Sequence, residues 1–299
     1  MNGSRRTFLS TVGSVSVGGT VLLSGCAGSD SDGDANGRTT DVSSGAESAD
    51  STATTETTTA TGKQTVSTAT IRDGTEQETT IYEIRSGSPG PTAFVGGGMH
   101  GNEESGYWAA DAIRKWDIDA GTLVVLPKAN VRGVRHERRE WPPGMDLNRK
   151  FPIGEPPTNA LAKAVWRAIE EYDPDLFIDL HSSKGILRRE GDEGVGQNVF
   201  RSKHDEIVTS VDAAVERLND EYVTGYEPVY DFVHTPVSET KYDTTPMLVN
   251  KMRADRDVPS CLFEVTQDDV KPEKRARWTR TFVDSVLDSW GIRSSRLNG

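Results

Sequence analysis

From residue 65 onward, short apolar runs alternate with longer stretches of helical spacing, and few architectures accept that order. Period-two or continuous apolar patterning predicts strands over 65–71, 79–84, 92–95, 122–126, 176–180 and 261–265. Apolar residues at three- and four-residue intervals predict helices over 103–116, 158–172, 205–218 and 271–290. Strands that alternate with helices imply an α/β sandwich around a mixed, mostly parallel central sheet. In such sheets ligands gather outside the carboxyl ends of the strands. There is no internal repeat, and residues 63–299 read as a single domain.

The chain ahead of that domain has a different character. Ser4-Arg5-Arg6-Thr7-Phe8-Leu9 has the twin-arginine export pattern, residues 11–23 are small and apolar, and Leu23-Ser24-Gly25-Cys26 closes the stretch like a lipobox. The expectation is an export signal over residues 1–26, with Cys26 lipidated and the domain held on the outer face of the cytoplasmic membrane. A short anchor with an incidental cysteine is the alternative. Residues 27–62 are dominated by Ala, Gly, Ser, Thr and Asp and hold no aromatic residue, Leu or Ile. Such a segment cannot bury enough apolar surface to offset its ordering entropy, so it reads as a disordered stalk. Only two cysteines occur, Cys26 and Cys261, which excludes a disulfide scaffold and any multi-cysteine metal site. Lys plus Arg total 34 against 46 Asp plus Glu, a net charge of −12. That balance argues against nucleic acid as a partner and leaves the lipid as the only membrane contact.

Four motifs sit at or near the predicted strand ends. His100 and Glu103 follow the glycines after the 92–95 strand, and their i, i+3 spacing at a helix start places both on one face. A surface histidine followed by a first-turn glutamate suited to the helix dipole is the bland reading. His181 closes Asp179-Leu180-His181 at the end of the 176–180 strand, where it either caps a turn or enters a site. Together these residues match the two-histidine, one-carboxylate set of catalytic zinc, which leaves a coordination position open. Asp146-Leu147-Asn148-Arg149 offers an amide beside a guanidinium, a pairing that grips carboxylates. Arg138 and Arg139 precede it in a loop that also carries Arg132 and Arg135, which on its own is equally a solvated basic loop. Glu264, in Phe263-Glu264-Val265, ends an apolar strand, where a carboxylate needs a partner or serves as a general base.

Taken in order, these motifs resemble the zinc carboxypeptidase superfamily. Gly-Met-His-Gly-Asn-Glu-Glu-Ser-Gly around His100 and Asp-Leu-Asn-Arg-Lys-Phe-Pro around Asn148 resemble its succinylglutamate desuccinylase/aspartoacylase branch. The resemblance covers most of residues 92–290 and implies a three-layer α/β/α sandwich. It implies one zinc per chain on His100, Glu103 and His181, and Glu264 as the base that deprotonates the activated water and protonates the leaving amine. It further implies that Arg139 stabilises the oxyanion, with Arg138 as the alternative if the loop register differs by one. Asn148 and Arg149 would hold the substrate carboxylate, and Asp146 would orient His100. Tyr242 precedes Glu264 by 22 residues, the interval of a substrate-binding tyrosine in carboxypeptidases, within a loop whose composition makes the match weak. The branch often carries a small β-domain after the catalytic glutamate, and this sequence ends in a helix instead.

The expected activity is hydrolysis of the amide bond of an N-acyl amino acid. A peptidase acting on free C-termini is the alternative. A non-catalytic lipoprotein that captures carboxylates in the Arg139–Arg149 groove is the rival from another class, although a binder has no use for a general base at Glu264.

Overall fold

The computed structural model describes residues 53–55 and 64–292. The export signal, Cys26 and most of the expected stalk lie outside the described residues. Within the expected stalk, Ala53–Thr55 forms a strand, β1, which pairs antiparallel with residues 68–70. Threonine is a good strand former, and the edge beside it offers an open ladder.

The elements that follow are β2 (Thr65–Ile71), β3 (Thr79–Arg85), β4 (Thr92–Gly97), α1 (Glu104–Ile113), β5 (Thr122–Leu126) and α2 (Val131–Arg135). Then come α3 (Ala160–Tyr172), β6 (Leu176–Ser183), β7 (Asn198–Arg201), α4 (Asp205–Arg217), β8 (Val233–Pro236), α5 (Leu248–Asp255), β9 (Ser260–Thr266) and α6 (Pro272–Ser289). The strands form one mixed sheet in the order β1-β2-β3-β5-β4-β6-β9-β7-β8. Its centre, β5-β4-β6-β9, is parallel. β2 and β3 run antiparallel on one flank and β7 antiparallel to β9 on the other.

Helices cover both faces, giving the three layers. On one side α1, α4 and α6 pack on Ala93, Val95, Ile178, Leu180 and Phe263. On the other, α3 and α5 pack on Phe94, Val124, Phe177 and Leu262. Side chains alternate along each strand, so Phe177, Asp179 and His181 share the α3/α5 face of β6, as Leu262 and Glu264 do on β9. The fold is the expected three-layer α/β/α sandwich around a mixed sheet with a parallel centre.

Every strand and helix expected from the patterning is present, with shifted ends. The 158–172 helix begins at Ala160 because Asn159 caps it, its Oδ1 accepting from Ala162 N at 2.7 Å. The 103–116 helix starts at Glu104, which frees Glu103 for another use. The patterning does not show β7, β8, α5 or the short α2, and α2 places Arg132 and Arg135 on a helix where a loop was expected.

Candidate metal centre

His100 lies in the turn between β4 and α1. That turn is pressed against α2: a Cβ on Gly101 would lie 1.9 Å from the Gly133 carbonyl oxygen, so only glycine fits there. Glu103 stands at the N-cap of α1, yet its side chain caps nothing in the helix. It turns inward instead. Its Oε1 lies 2.7 Å from His100 Nδ1 and its Oε2 lies 2.9 Å from His181 Nδ1. Ser182 N donates to Oε2 at 3.1 Å. One ligand atom from each of His100, Glu103 and His181 falls within 4.8 Å of the others, and all three residues are buried.

The far side of each ring faces a second carboxylate. His100 Nε2 is 3.0 Å from Asp146 Oδ1, and His181 Nε2 is 3.1 Å from Asp179 Oδ2. Asn148 Nδ2 approaches His181 Nε2 at 3.5 Å, and Asn148 Oδ1 accepts from Leu248 N at 2.9 Å. At His100 the Asp146 hydrogen bond fixes Nε2 as the protonated nitrogen and leaves Nδ1 to ligate a cation, whereas Asp179 faces His181 as a charge without a hydrogen bond among the described residues. Both Nδ1 atoms face Glu103, so the donor set suits a divalent ion.

The electrostatics point the same way. Burial opposes the charge on Glu103, but His100 and His181 outweigh it and hold the carboxyl far below its ordinary range. Burial would lower the two imidazoles. The carboxylates override it, Glu103 and Asp146 for His100 and Asp179 and Glu103 for His181, and both rings are raised, His181 strongly. Burial likewise opposes the charge of Asp146, which His100, Arg139 and Arg149 hold well below the usual carboxylate range. The cluster thus gathers positive charge around Glu103, the task a bound cation performs.

The centre opens onto a cavity of about 470 Å³. Arg139 lines it, and Arg138 does not. Arg139 Nη1 donates to Glu103 Oε1 and Nη2 to Asp146 Oδ2, each at 3.1 Å. Asn148 and Arg149 line the same cavity, with Arg149 Nη1 donating to the Asn148 carbonyl at 2.9 Å. Glu264 faces it from β9, directly beside His181 in the parallel register. Its Oε2 is sealed from solvent and has no hydrogen-bond partner among the described residues. Burial, against the pull of His181, pushes its pKa up to about 8. Tyr242 also reaches the cavity and stands edge-on to Phe200 at 5.6 Å.

The structure therefore brings every expected site residue of the domain to one place. Two contributors went unread. Asp179 was quoted in its motif without a role, although its position two residues before His181 on one strand puts both on one face. Gln267 is the other. Its Nε2 donates to Ser182 Oγ at 2.9 Å and lies 3.3 Å from the Asn102 carbonyl, linking the two ligand-bearing segments. Nothing in the sequence around Gln267 marks it.

Residues 89–186 match the family model of the succinylglutamate desuccinylase/aspartoacylase catalytic domain. The resemblance read from the motifs therefore stands. The matched span holds the three metal-facing residues, Arg139 and the Asp146–Arg149 segment, but not Glu264, which the sheet register supplies. An N-alpha-acetyl-L-2,4-diaminobutyric acid deacetylase of Halomonas elongata is 35% identical over 106 residues, covering 33% of this chain and 30% of that protein. Among solved structures, product-bound Csd4 from Helicobacter pylori aligns with a TM-score of 0.61 at 14% identity, over 73% of this chain and 56% of that one. A succinylglutamate desuccinylase from Silicibacter aligns with a TM-score of 0.57 at 17% identity, over 83% of this chain and 73% of that one. Product-bound EutE (DoeB), an ectoine utilization protein from Ruegeria pomeroyi, aligns with a TM-score of 0.54 at 18% identity, over 78% and 69% of the two chains. At these identities the structural likeness is one of fold.

Proposed function

We propose that this chain is an exported, lipid-anchored zinc hydrolase that cleaves the amide bond of an N-acyl amino acid. The observation that carries the reading is the convergence of one ligand atom each from His100, Glu103 and His181 within 4.8 Å, beside the sealed Oε2 of Glu264. His100, Glu103 and His181 would hold the zinc, which when bound would serve as a Lewis acid for the scissile carbonyl and the attacking water. Asp146 and Asp179 keep the two rings oriented. Arg149 and Asn148 anchor the substrate carboxylate at one end of the cavity. Arg139, half exposed and braced by Glu103 and Asp146, presents its guanidinium to the oxygen that gains charge. Glu264 accepts the proton of the attacking water and returns it to the leaving nitrogen.

The Halomonas relative is a deacetylase of an acylated amino acid, which supports the deacylase form. A second form, a peptidase acting beside a free carboxylate, is favoured by the Csd4 likeness, since that protein is a D,L-carboxypeptidase and has been seen with a tripeptide.

The deciding experiment combines metal analysis with turnover. One zinc per chain is expected, with hydrolysis of N-acyl amino acids that Glu264→Gln lowers by at least about a hundredfold while zinc stays bound. A protein that binds carboxylates without metal or turnover would instead be the capture lipoprotein. Anchoring is tested separately: Cys26→Ser should abolish fatty-acid labelling and release the domain from membranes.

A further inference from the structure

Beside the catalytic cavity lies a second one of about 700 Å³. The two share Glu193, Gly194, Val195, Phe200 and Tyr242 as lining. Its apolar side starts at Leu187, and Asp192, Thr235, Thr240 and Lys241 line the rest of the part not shared. Leu187 is 40% exposed there, and the other large exposed hydrophobic side chains among the described residues, Trp108 and Ile153, line neither cavity. Val195, Phe200 and Tyr242 continue that face. Two of the nearby charges are engaged: Asp192 Oδ2 accepts from Ile186 N at 2.8 Å, and Lys241 Nζ lies 5.3 Å from the Tyr242 ring centroid. Glu193 makes no hydrogen bond or ion pair among the described residues.

The wall is pre-formed. Arg188 Nη2 donates to the carbonyls of Pro228 at 2.8 Å and Asp231 at 2.6 Å, and Val195 N donates to Ser183 Oγ at 3.0 Å. Ile186 and Gly196 close the segment through a β-bridge. Arg139 and Arg149, which suit a carboxylate, line only the catalytic cavity. A substrate held there by its carboxylate directs its remote end away from the arginines.

We propose that the two cavities form one groove and that the substrate is an amino acid acylated with an uncharged apolar chain longer than acetyl. The tail lies against Leu187, Val195 and Phe200. Glu193 repels acyl groups that end in a second carboxylate. The proposal rests on the amide-hydrolase reading above and names its substrate class.

The test assays the zinc-loaded full chain on N-acetyl-, N-hexanoyl- and N-succinyl-alanine. A buried methylene contributes up to about fourfold, so kcat/KM should rise by about tenfold or more from acetyl to hexanoyl, and fall below acetyl for succinyl. Leu187→Asp, remote from the catalytic groups, should remove the hexanoyl advantage and leave N-acetyl turnover within about twofold. Glu193→Gln should raise succinyl turnover alone. A flat chain-length series, a preference for succinyl, or an equal effect of Leu187→Asp on all substrates overturns the inference and leaves the hydrolase reading standing. If none of the three is hydrolysed, that reading is what fails. Calorimetric binding of N-hexanoyl- against N-acetyl-alanine then decides the groove, equal affinities overturning it.

Discussion

Asp146 and Asp179 each face the Nε2 of one histidine, and that pairing makes the two rings usable together. Removing either carboxylate leaves a neutral ring free to carry its one proton on Nδ1 and to turn. Asp146→Asn and Asp179→Asn should each weaken zinc binding by about ten- to a hundredfold with the fold intact, read by chelator competition and circular dichroism. Glu264 offers a test without metal. Its folded pKa of about 8 lies above the ordinary carboxyl value of 4.5, so the folded state retains a proton that the unfolded chain releases between those values. Its stabilising contribution is full below pH 4.5 and is lost as the pH rises toward 8. In chelator, Glu264→Gln should therefore be more stable than the parent by at least about 1 kcal/mol at pH 8, with a smaller margin at pH 5, by urea denaturation. At this scale the sequence was informative where chemistry imposes a spacing, as in His100 with Glu103. It was silent where a long-range contact decides, as with Gln267. Between Arg138 and Arg139 adjacent side chains point to different places, and only the path of the loop separates them.

Among the elements, α1 lies tight against β6 where the site residues meet. A Cβ at Gly106 would lie 2.4 Å from the Leu180 carbonyl oxygen, in the residue before His181. Gly106→Ala must push α1 from β6, and with it Glu103 from His181. It should cost about 1–3 kcal/mol of stability in urea titration and lower zinc affinity as well, whereas an alanine at exposed Gly74 should leave zinc affinity unchanged. The long periodic elements were legible because burial on one face writes itself into the sequence, as in α3, where Leu161, Val165 and Ile169 face inward. β7 and β8 have four residues each, and β8 is half-buried throughout and ends in Pro236, so neither carries an alternation that could be read. α5 is eight residues long and holds buried Asn250 and Lys251, which break its apolar stripe.

For the molecule as a whole, an ion bound at the centre would tie β4, β6 and the α1 start together, so metal should act on global stability. Zinc at a hundred times its dissociation constant should add about 2.7 kcal/mol, seen as a melting temperature that falls on chelation. Cys261 reports on the same cooperativity from inside β9. Its thiol is buried and pushed far up by burial, so it should resist alkylation until the domain unfolds, with labelling and melting curves coinciding by mass spectrometry. The mixed sheet and its layers were visible in the order of the elements, while the flanking strand order depends on contacts between distant segments that local pattern does not encode. His181 and Glu264 occupy partnered positions on adjacent parallel strands. The backbone ladder thus works as a vernier between His181 and Glu264. Deleting one residue early in β9 would slide Val265 into the place of Glu264 and turn the carboxylate toward the face where Phe263 meets Phe282, dismantling the site with every one of its side chains still encoded.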